Sequence, residues 1–431
     1  MSYMETALVP YGARTTAWRV CLIASLYLFY DFIQMNMFSA IQPALMHDFA
    51  INATALGNFS AIFFTANLLF LIPAGLLLDR YSTRQLIFFT MLLSVLGTFC
   101  MAFAEHLSAA MLSRFITGIT SAFCFLCCIR LASRWFPPKQ WAFVFGIIIT
   151  IGMLGGLLAQ TPFTVLAQHY GWRFTMQLNG MLGIVILGLV YWGVQDFPTD
   201  PTGAALEQAQ AQIRSAGFFA GLSRVYGNPQ NWLAGCYASF LNLSIYLLGA
   251  LWGSLFVAAV FHYTKTQASA VTSMVYIGSI IGAPLVGKLS DYFGERRKLM
   301  LVGALLSIVC FLPLYFSHYL SLPVLIVLFF CLGLTTSTQV LSYPLVSANN
   351  PVSITASAVS VVSFCIIGGG VVFQPLFGGV MDMTHQQSLQ LPPGVYEPNC
   401  YYHALLIIPI AFTLSFFAAF FLRDHAAKEQ A

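Results

Sequence analysis

Apolar runs of bilayer-spanning length follow one another through almost the whole of a 431-residue chain. They fall at 20–46, 56–78, 85–104, 109–131, 141–167 and 174–194, and then at 233–260, 266–287, 299–317, 322–347, 354–380 and 402–422. A helix rises about 1.5 Å per residue, so about 20 apolar residues cross the roughly 30 Å hydrocarbon layer. With 59% hydrophobic and 7% charged residues, the chain lies far from soluble domains, in which about a quarter of residues are charged. The expected fold class is therefore an all-α integral membrane protein with a six plus six arrangement of transmembrane helices.

A repeat sets the division. Gly75, Asp79 and Arg84 recur as Gly287, Asp291 and Arg296, each displaced by 212 residues (287 − 75 = 212). That offset is close to half the chain and marks two copies of one unit. A second repeat aligns Gly155-Gly156 and Pro162 of the fifth run with Gly368-Gly369 and Pro375 of the eleventh. Glycine pairs permit close helix contact and proline breaks a helix locally, so these runs are either bending points or static packing surfaces. The expected domains are residues 1–194, a polar linker at 195–232 and residues 233–431.

Fifteen of the eighteen Lys and Arg residues lie on one side if the N-terminus is cytoplasmic, Arg80 and Arg84 among them. Both termini are thus expected in the cytoplasm, and the net charge of +4 reflects topology, with no nucleic-acid partner. The ten cysteines lie almost wholly within apolar runs and read as small packing residues. Cys124, Cys127 and Cys128 lack the second pair that a metal site needs. No metal or cofactor is expected. Met1 to Tyr11 has no basic region ahead of a cleavable core, so the first run is expected to remain in the mature protein.

Two charges fall inside runs. Asp31 is the acid placed within the first, and Arg114 the base placed well within the fourth. A charge at bilayer depth costs about 2.5 kcal/mol or more unless a partner or a water-filled cavity compensates it. At about 1.5 Å per residue their depths allow a mid-membrane pair, which either couples proton movement to transport or is a fixed structural ion pair. Neither charge is duplicated in the second half. Asn242, Tyr246, Trp252, Tyr276, Gln339, Tyr343 and Gln374 stand there instead. Neutral polar and aromatic groups suit a solute held by hydrogen bonds and ring contacts, although Tyr and Trp also form interfacial belts. With Gln34, the residues Asn242, Tyr246, Gln339, Tyr343 and Gln374 are the candidate solute contacts.

The repeated Gly75–Arg84 turn, Arg114-x-x-x-Gly118 and the six plus six layout resemble the major facilitator superfamily of secondary transporters over essentially the whole chain. The resemblance implies two six-helix bundles related by a pseudo-two-fold axis, with span five meeting span two of the opposite half. It also implies a cytoplasmic gate formed by Gly75, Asp79, Arg80 and Arg84 with Gly287, Asp291 and Arg296. By the same resemblance, Asp31 and Arg114 become the proton-coupling pair. Ser82 departs from the usual Gly, and Met153 stands where the antiporter signature has Pro. Trp252-Gly253 and the Gln374-Pro375-Leu-x-Gly378 segment are similar to nutrient importers of proteobacteria, including the intraphagosomal amino-acid transporter family.

The expected function is proton-coupled import of a small polar solute, an amino acid among the possibilities, across a bacterial inner membrane. A monomer in the lipid bilayer is expected, with a small molecule and protons as its partners. The alternatives are efflux of drugs or siderophores and a non-transporting receptor or scaffold. No Ser/His/Asp set or phosphate loop points to an enzyme.

Overall fold

The computed structural model describes residues 11–136, 140–197, 225–317, 319–350, 355–385 and 396–423. Among these, all regular structure is helical, and 12 helices are long and apolar enough to cross a membrane. The first six are Thr15–Asn36, Ala53–Gly75, Thr83–Ala102, Leu107–Trp135, Val144–Tyr170 and Trp172–Gly193. The second six are Pro229–Gly249, Lys265–Ser290, Arg296–Phe316, Leu322–Ala348, Ala358–His385 and Pro398–Phe421. Most of the expected linker lies outside the described residues, and span seven starts at Pro229, a little earlier than its apolar run.

Local chemistry sets the helix ends. Asn52 accepts from the Ala55 amide, Ser82 accepts from that of Gln85, and Thr264 forms a capping box with Gln267. Gly294, at φ +65°, stops span eight in the left-handed conformation that glycine adopts without strain.

The helices pair in a pattern that repeats six spans later. Span one packs on five, two on four, three on six and three on four, and likewise seven on eleven, eight on ten, nine on twelve and nine on ten. Between the halves, span two packs against span eleven and span five against span eight, as the resemblance implies. At span five the glycine pair serves close packing: a Cβ on Gly155 would lie 2.0 Å from the Phe29 carbonyl oxygen.

Among the described residues, five spans are interrupted; span five breaks at Ala159 and Gln160, and span twelve at Leu406. Span one bends beyond Asn36 into a separate helix, Phe38–Asp48. Span seven runs as Pro229–Leu243, a π-helical turn at Ser244–Gly249, and Gly253–Phe261. Span ten runs as Leu322–Thr336, a 3-10 turn at Ser337–Leu341, and Ser342–Ala348. Irregular backbone at membrane depth is tolerated where protein buries it or a cavity hydrates it, so the breaks in spans one, seven and ten point to the interior of the bundle.

The gate turns are set by where spans two and eight end. Asp79 and Arg80 still belong to the helix Ala53–Arg80, and Asp291 to Lys265–Phe293, so neither aspartate stands at the N-cap of the next helix. Ser82 takes that position before span three, because the helix continues through Asp79 and leaves a shorter turn. Gly75 and Gly287 make no close helix approach either: a Cβ on either glycine would meet nothing within 4 Å. The side chains of Asp79, Arg80 and Asp291 lie outside the described residues. Arg296 is half-buried at the first residue of span nine.

Candidate transport pathway

Among the described residues, Asp31 and Arg114 are the acidic and basic side chains that are buried, at 8% and 1% exposure. Sequence depth allows them to pair, yet they do not form a salt bridge. Asp31 Oδ2 accepts from Ser121 Oγ at 2.9 Å, and Asn67 Nδ2 donates to that same hydroxyl at 2.8 Å. Spans one, two and four thus converge on one carboxylate.

Arg114 reaches about one helical turn further along span one. Its Nη1 donates to the Gln34 carbonyl at 2.6 Å, and the guanidinium lies over the rings of Phe38 and Phe63, 4.3 and 4.6 Å from their centroids. Two aromatic faces hold a desolvated guanidinium more firmly than one distant carboxylate, which explains the departure from a pair. Its Nε and Nη2 atoms are buried without a hydrogen-bond partner.

Gln34 belongs to the same half in contact as well as in sequence. Its Nε2 donates to Thr98 Oγ1 at 2.6 Å, within span three, while Oε1 is buried without a partner. The second-half candidates gather around the two irregular turns. Asn242 ends the helix before the π turn, Tyr246 stands within that turn, Gln339 within the 3-10 turn, and Tyr343 just beyond it. Tyr246 is buried, and its ring lies 4.7 Å from that of Phe64 across the half-to-half boundary. Gln374 Nε2 donates to the Tyr246 carbonyl at 3.2 Å, so it supports the turn from behind. Trp252 is fully buried and stacked on Phe377, with centroids 5.4 Å apart, which makes it a packing residue in this state.

Polar residues that sequence reasoning does not single out, together with Tyr276, close the pathway at one end. Because the number of spans is even, both chain ends approach one face, here the terminal face. Hydrogen bonds between the halves gather at the other, the far face. Ser39 pairs with Ser254 at 3.2 Å, Thr161 with Ser273 at 3.1 Å, Thr164 with Ser269 at 3.0 Å, and Tyr276 donates to Asn36. Phe64 of span two lies 4.7 Å from the Tyr246 ring and fills the space over Gly370, forming a ceiling above the Asp31 level.

On the terminal face the observed contacts stay within one half. Asp196, counted by sequence as linker, accepts from the Ser82 hydroxyl, from the Arg84 amide at 3.0 Å and from Arg134 at 3.5 Å. Arg84 also donates to the Tyr191 carbonyl at 2.8 Å. Asp196 follows span six directly, and that proximity was the available signal. The arrangement is closed on the far face, with the potential to open on the terminal face.

Known proteins fit this geometry. The family model described as Major Facilitator Superfamily matches residues 23–256 and 238–431. The membrane sensor protein UhpC of Salmonella typhimurium is 26% identical over 333 residues, spanning 71% of this chain and 73% of its own. A gallate transporter of Pseudomonas putida is 22% identical over 309 residues, spanning 67% of this chain and 69% of its own. A quinolone resistance transporter of Acinetobacter baumannii is 25% identical over 322 residues, spanning 67% and 70%. A bacterial homologue of the human lysosomal transporter Spinster, solved inward-facing and unoccupied, shares the fold at a TM-score of 0.74 and 18% identity, covering 94% of this chain and 97% of its own. Repeated six-span halves, breaks at mid-membrane and a family match along nearly the whole length converge on one assignment, and the chain belongs to the major facilitator superfamily.

Proposed function

We propose that this protein is a proton-coupled symporter that imports a small polar solute, an amino acid being the class that suits the site, across a bacterial inner membrane. It acts as a monomer with both termini in the cytoplasm. The observation that carries the reading is Asp31: a carboxylate buried inside the membrane, where Ser121 donates to it and Asn67 donates to Ser121 in turn. Ionisable groups at that depth are costly and mark transport pathways.

In the far-open state Asp31 takes a proton from outside, and the solute settles among Asn242, Tyr246, Gln339 and Tyr343. Closure of the far face then carries both to the terminal side, where water reaches the carboxyl and the proton leaves. Arg114, sealed between Phe38 and Phe63, holds the first span in register with the fourth and sets the field around Asp31. A ligand drives such a cycle only through its difference in affinity between the two states.

The test is uptake into proteoliposomes under an imposed pH gradient, screened over amino acids, nucleosides and organic acids. Accumulation that collapses with the gradient is expected. Asp31→Asn should abolish uphill accumulation while exchange of labelled for unlabelled solute persists. Undiminished proton-driven accumulation by that variant ends the proposal. The UhpC relative, named as a sensor, favours one rival reading, and saturable binding with no translocation would establish it instead.

A further inference from the structure

Gln160, two residues before Pro162 in span five, and Gln374, one residue before Pro375 in span eleven, end on the same six residues of span seven. Gln374 Nε2 donates to the Tyr246 carbonyl at 3.2 Å from span eleven, in the same half. Gln160 Nε2 donates to the Gly249 carbonyl at 2.8 Å from the break in span five, in the opposite half. Ser244–Gly249 is the π-helical turn, which carries Tyr246 and ends where the helix breaks before Gly253. From these contacts we infer that Gln160 and Gln374 clamp the π turn as positioning residues, one moving with it and the other holding it only while the far face is closed.

Gln160 is built for that role. It is fully buried, and its amide is satisfied on both sides: Oε1 accepts from Thr272 Oγ1 at 3.0 Å and from Ser39 Oγ at 3.2 Å, while Nε2 reaches Gly249. Those partners come from spans eight, one and seven, so one side chain ties its own half to two helices of the other. The backbone needs such donors. A π turn spaces its bonds to i+5, seen here as the Ala250 amide on the Ile245 carbonyl at 2.7 Å and the Trp252 amide on that of Leu247, also at 2.7 Å. The Gly249 carbonyl lies at the end of the turn and takes a side-chain amide. Gly249 also has no side chain for a reason, since a Cβ there would sit 2.6 Å from the Tyr276 hydroxyl.

The clamp is asymmetric. Gln374 stays with the turn through any movement of one half against the other. Gln160 must leave it when the far face opens, because its carbonyl partner belongs to the half that swings away. The shape of the turn around Tyr246, and with it the solute site of the proposed transporter, is therefore linked to far-face closure by one hydrogen bond. This link rests on the transport reading for its consequence, but its geometry is testable without any solute.

The test uses the full chain with its native cysteines replaced, spin labels on Tyr170→Cys and Gln267→Cys at the far face, and electron double resonance to read the separation of the halves. Both sites are exposed. Removing a buried hydrogen-bonded amide costs enough to change the closed-to-open ratio roughly five- to tenfold. Gln160→Leu should accordingly add a longer-distance population, whereas an unchanged distribution overturns the inference. Gln160→Glu supplies a second reading. Protonated, a glutamic acid still donates to the Gly249 carbonyl; ionised, it repels that oxygen. The distribution should be closed at low pH and shift open as pH rises, with Tyr276 the titratable side chain beside it in both variant and parent. The parent carries only the response of Asp31, so the shift that tests the clamp is the one that Gln160→Glu adds to it. A Gln160→Glu distribution that follows pH as the parent's does would reduce Gln160 to packing and overturn the clamp. Failure of uptake in the liposome assay, with these distance shifts intact, would remove the transport reading and leave the clamp standing.

Discussion

Asp382, at the far end of span eleven, caps the first turn of span two in the opposite half, accepting from the Thr54 amide at 2.7 Å and from the Thr54 hydroxyl as well. It also accepts from the Ala53 amide at 3.2 Å and from Tyr396, whose hydroxyl itself accepts from Ala53. A carboxylate at a helix N-terminus answers unpaired amides and the positive end of the helix dipole, an interaction that ordinarily stays within one helix. Here it spans the boundary between two bundles, 328 residues apart in sequence.

Asp382→Ala should therefore loosen the start of span two rather than unfold either bundle. Loss of a cap costs about 1 kcal/mol, roughly a fivefold change in the local opening equilibrium. Hydrogen–deuterium exchange of a peptide covering Ala53–Leu56 should rise by about that factor, with span-three peptides unchanged. Equal exchange in parent and variant would show that the cap contributes nothing to closure.

Arg114 gives a prediction that separates charge from shape. Its planar group is stacked on Phe38 and Phe63 and donates to the Gln34 carbonyl, and a lysine ammonium reproduces the charge but neither the stacking nor the fixed fork. A desolvated cation–π contact is worth about 2 kcal/mol, so Arg114→Lys should lower the thermal midpoint clearly in detergent. A midpoint equal to that of the parent would mean that charge alone matters at this site.

Much of this architecture is legible in the sequence because it is written in long-period signals. Twelve apolar runs and a 212-residue repeat are visible without any contact, and a buried Asp31 or Arg114 stands out against an apolar background. Side-chain reach is less visible. Depth along two helices allows Asp31 and Arg114 to meet, but which way a guanidinium turns depends on the rings of Phe38 and Phe63, and those belong to spans one and two. Contacts between the halves are hidden for the same reason. Ser39, Gln160, Thr272 and Asp382 are ordinary polar residues until the fold sets them across a boundary. Asp196 passes for linker because its place just past span six is the one mark it carries, and that mark does not say which turn it will hold.

Asp48 supplies a prediction in pH. It accepts from Trp172 Nε1 at 2.8 Å and from Arg173 Nη1 at 2.7 Å, tying the end of the Phe38–Asp48 helix to the start of span six. The indole bond first, and the guanidinium after it, hold its carboxyl below the usual carboxylate range. A depressed folded value means that the contribution is fully present above the unfolded value of about 3.9 and is lost as pH falls through the folded value. The thermal midpoint of the parent should thus exceed that of Asp48→Asn by a constant margin between about pH 5 and 7, and the margin should shrink below about pH 4. The two donors are not equal. Arg173 is 42% exposed, and exposed ion pairs contribute about 0–1 kcal/mol, whereas the indole bond is half-sheltered and has no competing charge to screen. Trp172→Phe should therefore remove more of the pH-dependent margin than Arg173→Gln. The reverse order would assign the tie to the ion pair, and added salt should then erase it.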